Sequence, residues 1–244
     1  MKIVVHKYGG TSVGSIKRIK NVAARVAKWH DAGYCLVIVL SAMSGETNRL
    51  ISLAEKITLK PNLKDLDMLL STGEQVSVAL LSIALQNLGK SSISLTGWQV
   101  PICTNNIFSK ARIESINEEK IKLALNENKI VIITGFQGVD KFKNITTLGR
   151  GGSDTSAVAV AASLEAMECL IYSDVEGIYT TDPRIVSNAS RLSTVTFEEI
   201  LEMSSLGSKV LQKRSLEFAG NYRVPTRVLS SFTDPQIPIE EEIN

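Results

Sequence analysis

The chain has 244 residues, 44% of them hydrophobic, and its 27 Lys and Arg against 25 Asp and Glu leave a formal net charge of +2. That balance excludes disordered and fibrous classes and any bulk attraction to nucleic acid, and a chain of this length buries roughly 70 to 75% of its unfolded surface. No stretch approaches the roughly 20 apolar residues of a membrane-spanning helix, and Met1 to Val5 is too short for a signal peptide, so no membrane role is expected.

Ile3 to His6 predicts a strand that runs straight into Lys7-Tyr8-Gly9-Gly10-Thr11-Ser12-Val13-Gly14. A cation and a flexible turn arriving together at a strand end suit a phosphate. Glycines let backbone amides approach an anion, and a following helix adds its positive end. The plainer reading is a tight turn that needs glycine for its angles alone. Gly9 and Gly14 have the spacing of a P-loop, but Ser15 stands where that motif needs lysine, so it is not one. Ile16, Ile19, Val22, Ala23, Val26 and Trp29 recur at threes and fours, predicting a helix that ends near Gly33. Leu36 to Leu40 reads as a fully buried strand, completing a βαβ unit with its turn where open α/β sheets bind ligands.

Ser41 to Asn48 is a polar turn ahead of a helix through Ile57. Helices follow at 63–70 and 74–88, then a short strand at Ile93 and Leu95. Val100 to Thr104 and the polar stretch to Arg112 read as loops and edge ribbons, followed by helix 117–127 and a buried strand Ile130 to Thr134. A second glycine cluster, Gly149-Arg150-Gly151-Gly152-Ser153-Asp154, precedes a helix from Ala157 to Glu165. Arg150 offers a planar fork for a carboxylate or phosphate, while Asp154 equally suits a helix N-cap.

Cys169 to Tyr172 predicts a fourth buried strand, opening into Tyr172-Ser173-Asp174-Val175-Glu176-Gly177-Ile178-Tyr179-Thr180-Thr181-Asp182-Pro183-Arg184. An adenine fits beside Tyr179 with Arg184 reaching phosphate; a solvated loop around the Asp-Pro pair is the alternative. Gly207-Ser208-Lys209-Val210-Leu211 opens a helix toward Gly220 and puts Lys209 at its start. Residues 235–244 read as an exposed tail. The alternation of strand, turn and helix predicts a single α/β unit with a mainly parallel sheet and helices on both faces. Cys35, Cys103 and Cys169 have no CxxC or Cys/His spacing, and read as small buried hydrophobes in a reducing cytoplasm.

Together KYGGTSVG, GRGGSDTSA, YSDVEGIYTTDPR and GSKVL resemble the aspartate kinases of the amino acid kinase family over essentially the whole chain. The resemblance implies a three-layer αβα sandwich and ATP-dependent phosphorylation of the L-aspartate side chain, the step that opens lysine, threonine and methionine biosynthesis. It implies that Lys7, Gly9 and Gly10 hold the β and γ phosphates beside Ser41. Thr47, Glu74, Arg150, Gly151, Gly152, Ser153 and Asp154 form the aspartate pocket, with Arg150 on the α-carboxylate and Glu74 and Asp154 facing the ammonium group. Ser173, Asp174, Tyr179, Asp182, Arg184, Lys209 and Val210 fall on the nucleotide side, and Lys7, Lys209 and Asp154 are the catalytic candidates. Magnesium is expected on phosphate oxygens and water. The acceptor pocket is expected mainly from the N-terminal half and the nucleotide site from the C-terminal half.

The residues favour a carboxylate acceptor independently, since an acid ionised at pH 7 needs no general base to become a nucleophile. An acceptor other than aspartate, such as glutamate, N-acetylglutamate or carbamate, stays open, as does a non-catalytic nucleotide-binding subunit. Members of the resembled group usually continue beyond a segment like Arg227 to Phe232 into two ACT domains. Feedback by lysine or threonine and the usual assembly are therefore left open, a homo-oligomer through the catalytic domain included.

Overall fold

Runs of five or six residues buried nearly throughout, without an alternating exposed face, are the mark of strands covered on both faces. Such runs form β1 (Ile3–Tyr8), β2 (Cys35–Leu40), β6 (Ile130–Thr134) and β9 (Glu168–Ser173), and they make the centre of a six-stranded sheet. The computed structural model describes residues 1–175, 177–181, 186, 188–205 and 213–233. Shorter strands β3 (Ser92–Leu95) and β10 (Thr226–Ser230) close the two edges, giving the order β10-β9-β1-β2-β6-β3 with every pair parallel.

Successive residues of a strand point to opposite faces, and β1 divides accordingly. Ile3 and Val5 join the core beneath α5 (Glu119–Asn126), α6 (Gly152–Ser163), α7 (Phe197–Ser205) and α8 (Lys213–Tyr222), whose Ile121, Val158, Ile200 and Leu216 fill it. Val4 and Tyr8 join the opposite core, packed with Val22 and Val26 of α1 (Ile16–Asp31) and Leu81 and Leu85 of α4 (Thr72–Asn87). The result is a three-layer αβα sandwich, and the same alternation turns Lys7 toward α6.

On the α1 side the strand ends carry an aromatic cluster. The Tyr8 and Tyr172 rings stack 4.5 Å apart and 6° from parallel, and His6 meets Trp29 edge-on. The buried Arg25 guanidinium lies over Tyr172 and donates to the carbonyls of Ser231 and Thr233, anchoring the chain where it leaves β10. Burial, reinforced by Arg25 and Arg227, lowers the His6 pKa to about 3. His6 is therefore neutral at any pH near 7.

Several elements depart from the sequence-based expectation. Ile16, assigned to the buried face of α1, is 53% exposed, because it opens the helix just past its Ser15 N-cap. The turn after β1 does not lead directly into α1: a single 3₁₀ turn (Gly10–Val13) comes first. Of a second, four-stranded sheet, β5-β4-β7-β8, only β4 (Ile102–Thr104) falls in a segment read as an edge ribbon. Its other members, β5 (Ile113–Ile116), β7 (Gln137–Val139) and β8 (Ile145–Thr147), are three or four residues long, too short for periodicity to register. The α7 helix has no counterpart in the sequence-based expectation, although Thr196 and Glu199 form a reciprocal capping box at its start. Cys169 is buried, but Cys35 and Cys103 are only half-buried; all three thiols are free.

The helices α3 (Leu63–Leu70) and α4 run on from one another through Ser71, making a 25-residue stretch with a window of mean hydropathy 1.5. This is long and apolar enough to cross a membrane by length and composition, contrary to expectation. Half of that window is buried within the protein, where α4 packs on the sheet, as in the core helix of a globular fold.

Candidate functional site

Parallel pairing brings four strand ends to one edge of the sheet. Lys7 of β1 lies in register with Val39 of β2 on one side and Ile171 of β9 on the other, so the Lys7–Gly10 turn sits between Ser41 and Ser173. The Lys7 side chain, nearly buried, reaches the first turn of α6, where its Nζ lies 2.6 Å from Asp154 Oδ1. A Cβ on Gly9 would stand 3.4 Å from that ammonium, and one on Gly10 would stand 2.9 Å from the Ala42 carbonyl oxygen. Both glycines therefore keep the turn close to its neighbours. The Gly9 amide points to the Tyr172 carbonyl at 3.4 Å.

The second glycine turn arrives from the hairpin of β7 and β8 and starts α6. Gly149 and Gly151 have φ of +77° and +72°, the left-handed region that favours glycine. Gly151 is the N-cap and provides no side-chain cap, so the positive end of α6 is left to other partners. Asp154 is not the cap, since the helix begins two residues before it. Ser153 accepts a 2.9 Å hydrogen bond from the Ser41 hydroxyl, joining the two turns. Gly135 makes that approach feasible: a Cβ there would stand 2.8 Å from the Ser153 Cβ.

Between these turns lies a cavity of about 260 Å³. Gly10, Ser41, Thr47 and Glu74 line it from one side, and Arg150, Gly151, Gly152 and Ser153 from the other. Lys7 and Asp154 are not part of its lining. Arg150 is exposed and makes no ion pair among the described residues. Glu74 is 3% exposed; its Oε1 accepts from the Ala42 amide at 3.1 Å, and its buried Oε2 has no partner of normal hydrogen-bond geometry. Burial, only partly opposed by the Ala42 amide and the Gln137 side chain, raises the Glu74 pKa to about 7. The cavity thus presents a guanidinium and a helix N-terminus at one place and an ionisable carboxyl at another, an arrangement that suits a small zwitterion.

On the other flank, Ser173 donates its hydroxyl to Asp174 at 3.1 Å, and its carbonyl accepts from the Ser231 amide. Tyr179 is half-buried and bridges to Arg191, where residues 178–180 run alongside 190–192. Asp182, Arg184, Lys209 and Val210, assigned from sequence to the nucleotide, lie outside the described residues, as does the tail at 235–244. Sequence reasoning did not single out Phe136, which lines the cavity beside Gly152 and holds φ at +68°. A bulky residue in that region is a strained one, and nothing in its sequence neighbourhood announces the angle.

The model of the amino acid kinase family matches residues 2–230. An aspartate kinase of Pseudomonas putida is 58% identical over 99% of this chain, which spans 60% of that protein. The crystal structure of an aspartate kinase from Synechocystis superposes with a TM-score of 0.84 at 49% identity, covering 95% of this chain and 38% of that one. That of Escherichia coli aspartokinase III, in complex with aspartate and ADP, gives 0.85 at 32%, covering 94% and 62%. The chain spans about 60% of the length of the curated relatives it matches. By its sequence over residues 2–230 and by its layered parallel sheet, the chain belongs to the amino acid kinase family.

Proposed function

We propose that the protein transfers the γ-phosphoryl group of ATP to the side-chain carboxylate of L-aspartate, giving 4-phospho-L-aspartate and ADP. The observation that carries this reading is the cavity between the two glycine turns, with Arg150 and the uncapped start of α6 facing Glu74 across a space of about 260 Å³. Arg150 grips the α-carboxylate and the ionised Glu74 meets the ammonium group, leaving the second carboxylate to face the phosphates. The E. coli aspartokinase III complex with aspartate and ADP, 32% identical, supports the choice of both ligands.

A carboxylate is already ionised at pH 7, so the reaction needs no proton abstraction. Its difficulty is the approach of one anion to another, and positioning and positive charge along the transferring group are the available remedy. Lys7 is the cation at that place, held by Asp154 at 2.6 Å. Gly9 and Gly10 bring the backbone up to the β and γ phosphates, and Ser173, Asp174 and Tyr179 border the nucleotide; the family resemblance assigns Asp182, Arg184, Lys209 and Val210 to the same ligand. Among the described residues no three His, Cys, Asp or Glu side chains converge. Phosphate oxygens and water are the proposed main ligands of magnesium, which dehydrates reluctantly and, when bound, would neutralise phosphate charge. The same reading puts the protein at the entry to lysine, threonine and methionine biosynthesis in the cytoplasm.

Trapping the acyl phosphate with hydroxylamine tests the proposal. Hydroxamate should form with L-aspartate and ATP, and at least tenfold more slowly with glutamate or N-acetylglutamate, a margin of about 1.4 kcal/mol. An acetylated nitrogen has no charge for Glu74 to meet. ATP binding with no hydroxamate from aspartate would overturn the reading.

A further inference from the structure

The loop that carries Arg150 hangs on one buried carboxylate that touches neither the cavity nor Lys7. Asp67, on α3, is fully buried, and its two oxygens accept four hydrogen bonds. Oδ2 takes the backbone amides of Ser109 and Thr147, both at 2.8 Å. Oδ1 takes the hydroxyls of the same two residues, at 3.0 and 2.7 Å. These contacts join two segments distant in sequence. Thr147 ends β8 just before Gly149, and Ser109 holds φ at +64° in the stretch beneath it. A Cβ on Gly149 would lie 2.9 Å from the Ser109 carbonyl oxygen, so the Gly149 backbone rests directly on the turn that Asp67 pins.

The helical run bearing Asp67 continues through Ser71 into α4, where Glu74 lies seven residues further on. Arg150 and Glu74, on opposite sides of the cavity, are thereby both referred to a single rigid run. We propose that Asp67 is a positioning residue that fixes the span between Arg150 and Glu74, and through that span the length of acid the pocket accepts. The inference rests on the proposed roles of Arg150 and Glu74 toward an amino diacid.

The bonding pattern makes a distinctive prediction about charge. Each oxygen serves one kind of partner, so in Asp67→Asn the side-chain oxygen can take the two amides while the new NH₂ group donates to the two hydroxyl oxygens, which accept as readily as they donate. All four contacts survive without the charge. Asp67→Ala loses all of them. The Ala variant should raise the KM for L-aspartate about 10-fold or more, with the KM for ATP changing less than about 2-fold, as expected for hydrogen bonds to a charged group. Its preference for aspartate over glutamate should shrink, and Asp67→Asn should remain within about 3-fold of the native protein on each measure.

Hydrogen exchange supplies a readout independent of turnover: amides 145–150 should exchange faster in Asp67→Ala and at the native rate in Asp67→Asn. An unchanged aspartate KM in Asp67→Ala, a parallel rise in the ATP KM, native exchange in that variant, or an Asn variant as impaired as the Ala one would each overturn the proposal. Should Asp67→Ala not fold, Ser109→Ala combined with Thr147→Val removes the two hydroxyl donors. That pair should raise the aspartate KM about 3- to 10-fold with the ATP KM unmoved, and no rise overturns the proposal. A native chain that never phosphorylates aspartate refutes the proposed function, while the exchange comparison still decides whether Asp67 holds the loop.

Discussion

The two glycine turns look alike in sequence, each a cation among glycines ahead of a helix, yet the first uses glycine for space alone and the second for backbone angle as well as space. In the first, Gly9 and Gly14 have φ of −73° and −69°, angles open to any residue, and what matters is space. Gly10 packs so closely on the Ala42 carbonyl that a methyl group would not fit. In the second, Gly149 and Gly151 occupy left-handed backbone, and the bend itself aims Arg150 and exposes the start of α6. The first turn needs glycine for close approach alone, beside a fixed charge; the second needs it for direction as well, while Gly149 and Gly152 also pack closely on the Ser109 carbonyl and Leu148. A motif of glycines therefore does not say which kind of site it makes until the backbone angles are known.

The largest expected effect tests the fixed charge of the first turn. Lys7→Ala should lower kcat by about 10²- to 10³-fold, or about 2.7 to 4 kcal/mol, the scale of losing one preorganised electrostatic donor. Thermal unfolding should show the variant folded, and an unchanged kcat would remove Lys7 from the chemistry.

The acceptor side should instead reveal itself through pH. In the folded protein Glu74 holds its proton up to about pH 7, whereas in the unfolded chain it releases it near the ordinary glutamate value of 4.5. Between those values the unfolded state binds fewer protons, so stability falls as pH rises, by about 3 kcal/mol in all for a shift of this size. Denaturation of Glu74→Gln across this window should lack that slope. The aspartate KM should fall as pH rises through about 7, because only the ionised carboxyl attracts the ammonium group, and Glu74→Gln should flatten the dependence. A flat native profile would contradict the assigned pairing.

Smaller effects sharpen the contrast between space and angle. Gly10→Ala should cost about 1 to 3 kcal/mol in chemical denaturation, as overpacking does, because the atoms it meets are backbone and cannot swing aside. Gly33 offers the complementary control, with φ of +89° and nothing within 4 Å of the place a methyl group would take. Gly33→Ala should cost only the left-handed term, about 1 to 2 kcal/mol, and Gly33→Asn less. Equal losses at Gly10 and Gly33, or full recovery of a Gly10 variant by asparagine, would erase the distinction between close approach and backbone angle.

What the sequence made legible follows from pattern length. The central strands β1, β2, β6 and β9 and the long helices α1 and α4 each carry enough residues for period or apolar run to emerge, and they define the layered sheet. Lys7, Arg150 and Ser153 stood out because each sits in a glycine turn beside an apolar run, whereas Glu74 was assigned only through the family resemblance. The four-stranded sheet was hidden by strands too short to show a period, and with it the support of the Arg150 loop. Asp67 was hidden for a different reason. A single acidic residue in a helix reads as solvated surface, and only the fold shows that amides and hydroxyls from positions 109 and 147 converge on it. The pairing of Lys7 with Asp154 was likewise invisible, since it depends on strand alternation combined with the place where α6 begins.

The most direct test is a structure of the protein with ADP and L-aspartate bound together. The account predicts aspartate within the cavity, its α-carboxylate on Arg150 and its ammonium group at Glu74, with the ADP phosphates at Gly9 and Gly10 and the free carboxylate turned toward them. Aspartate bound outside that cavity, or a nucleotide whose phosphates lie away from the Lys7 turn, would contradict it.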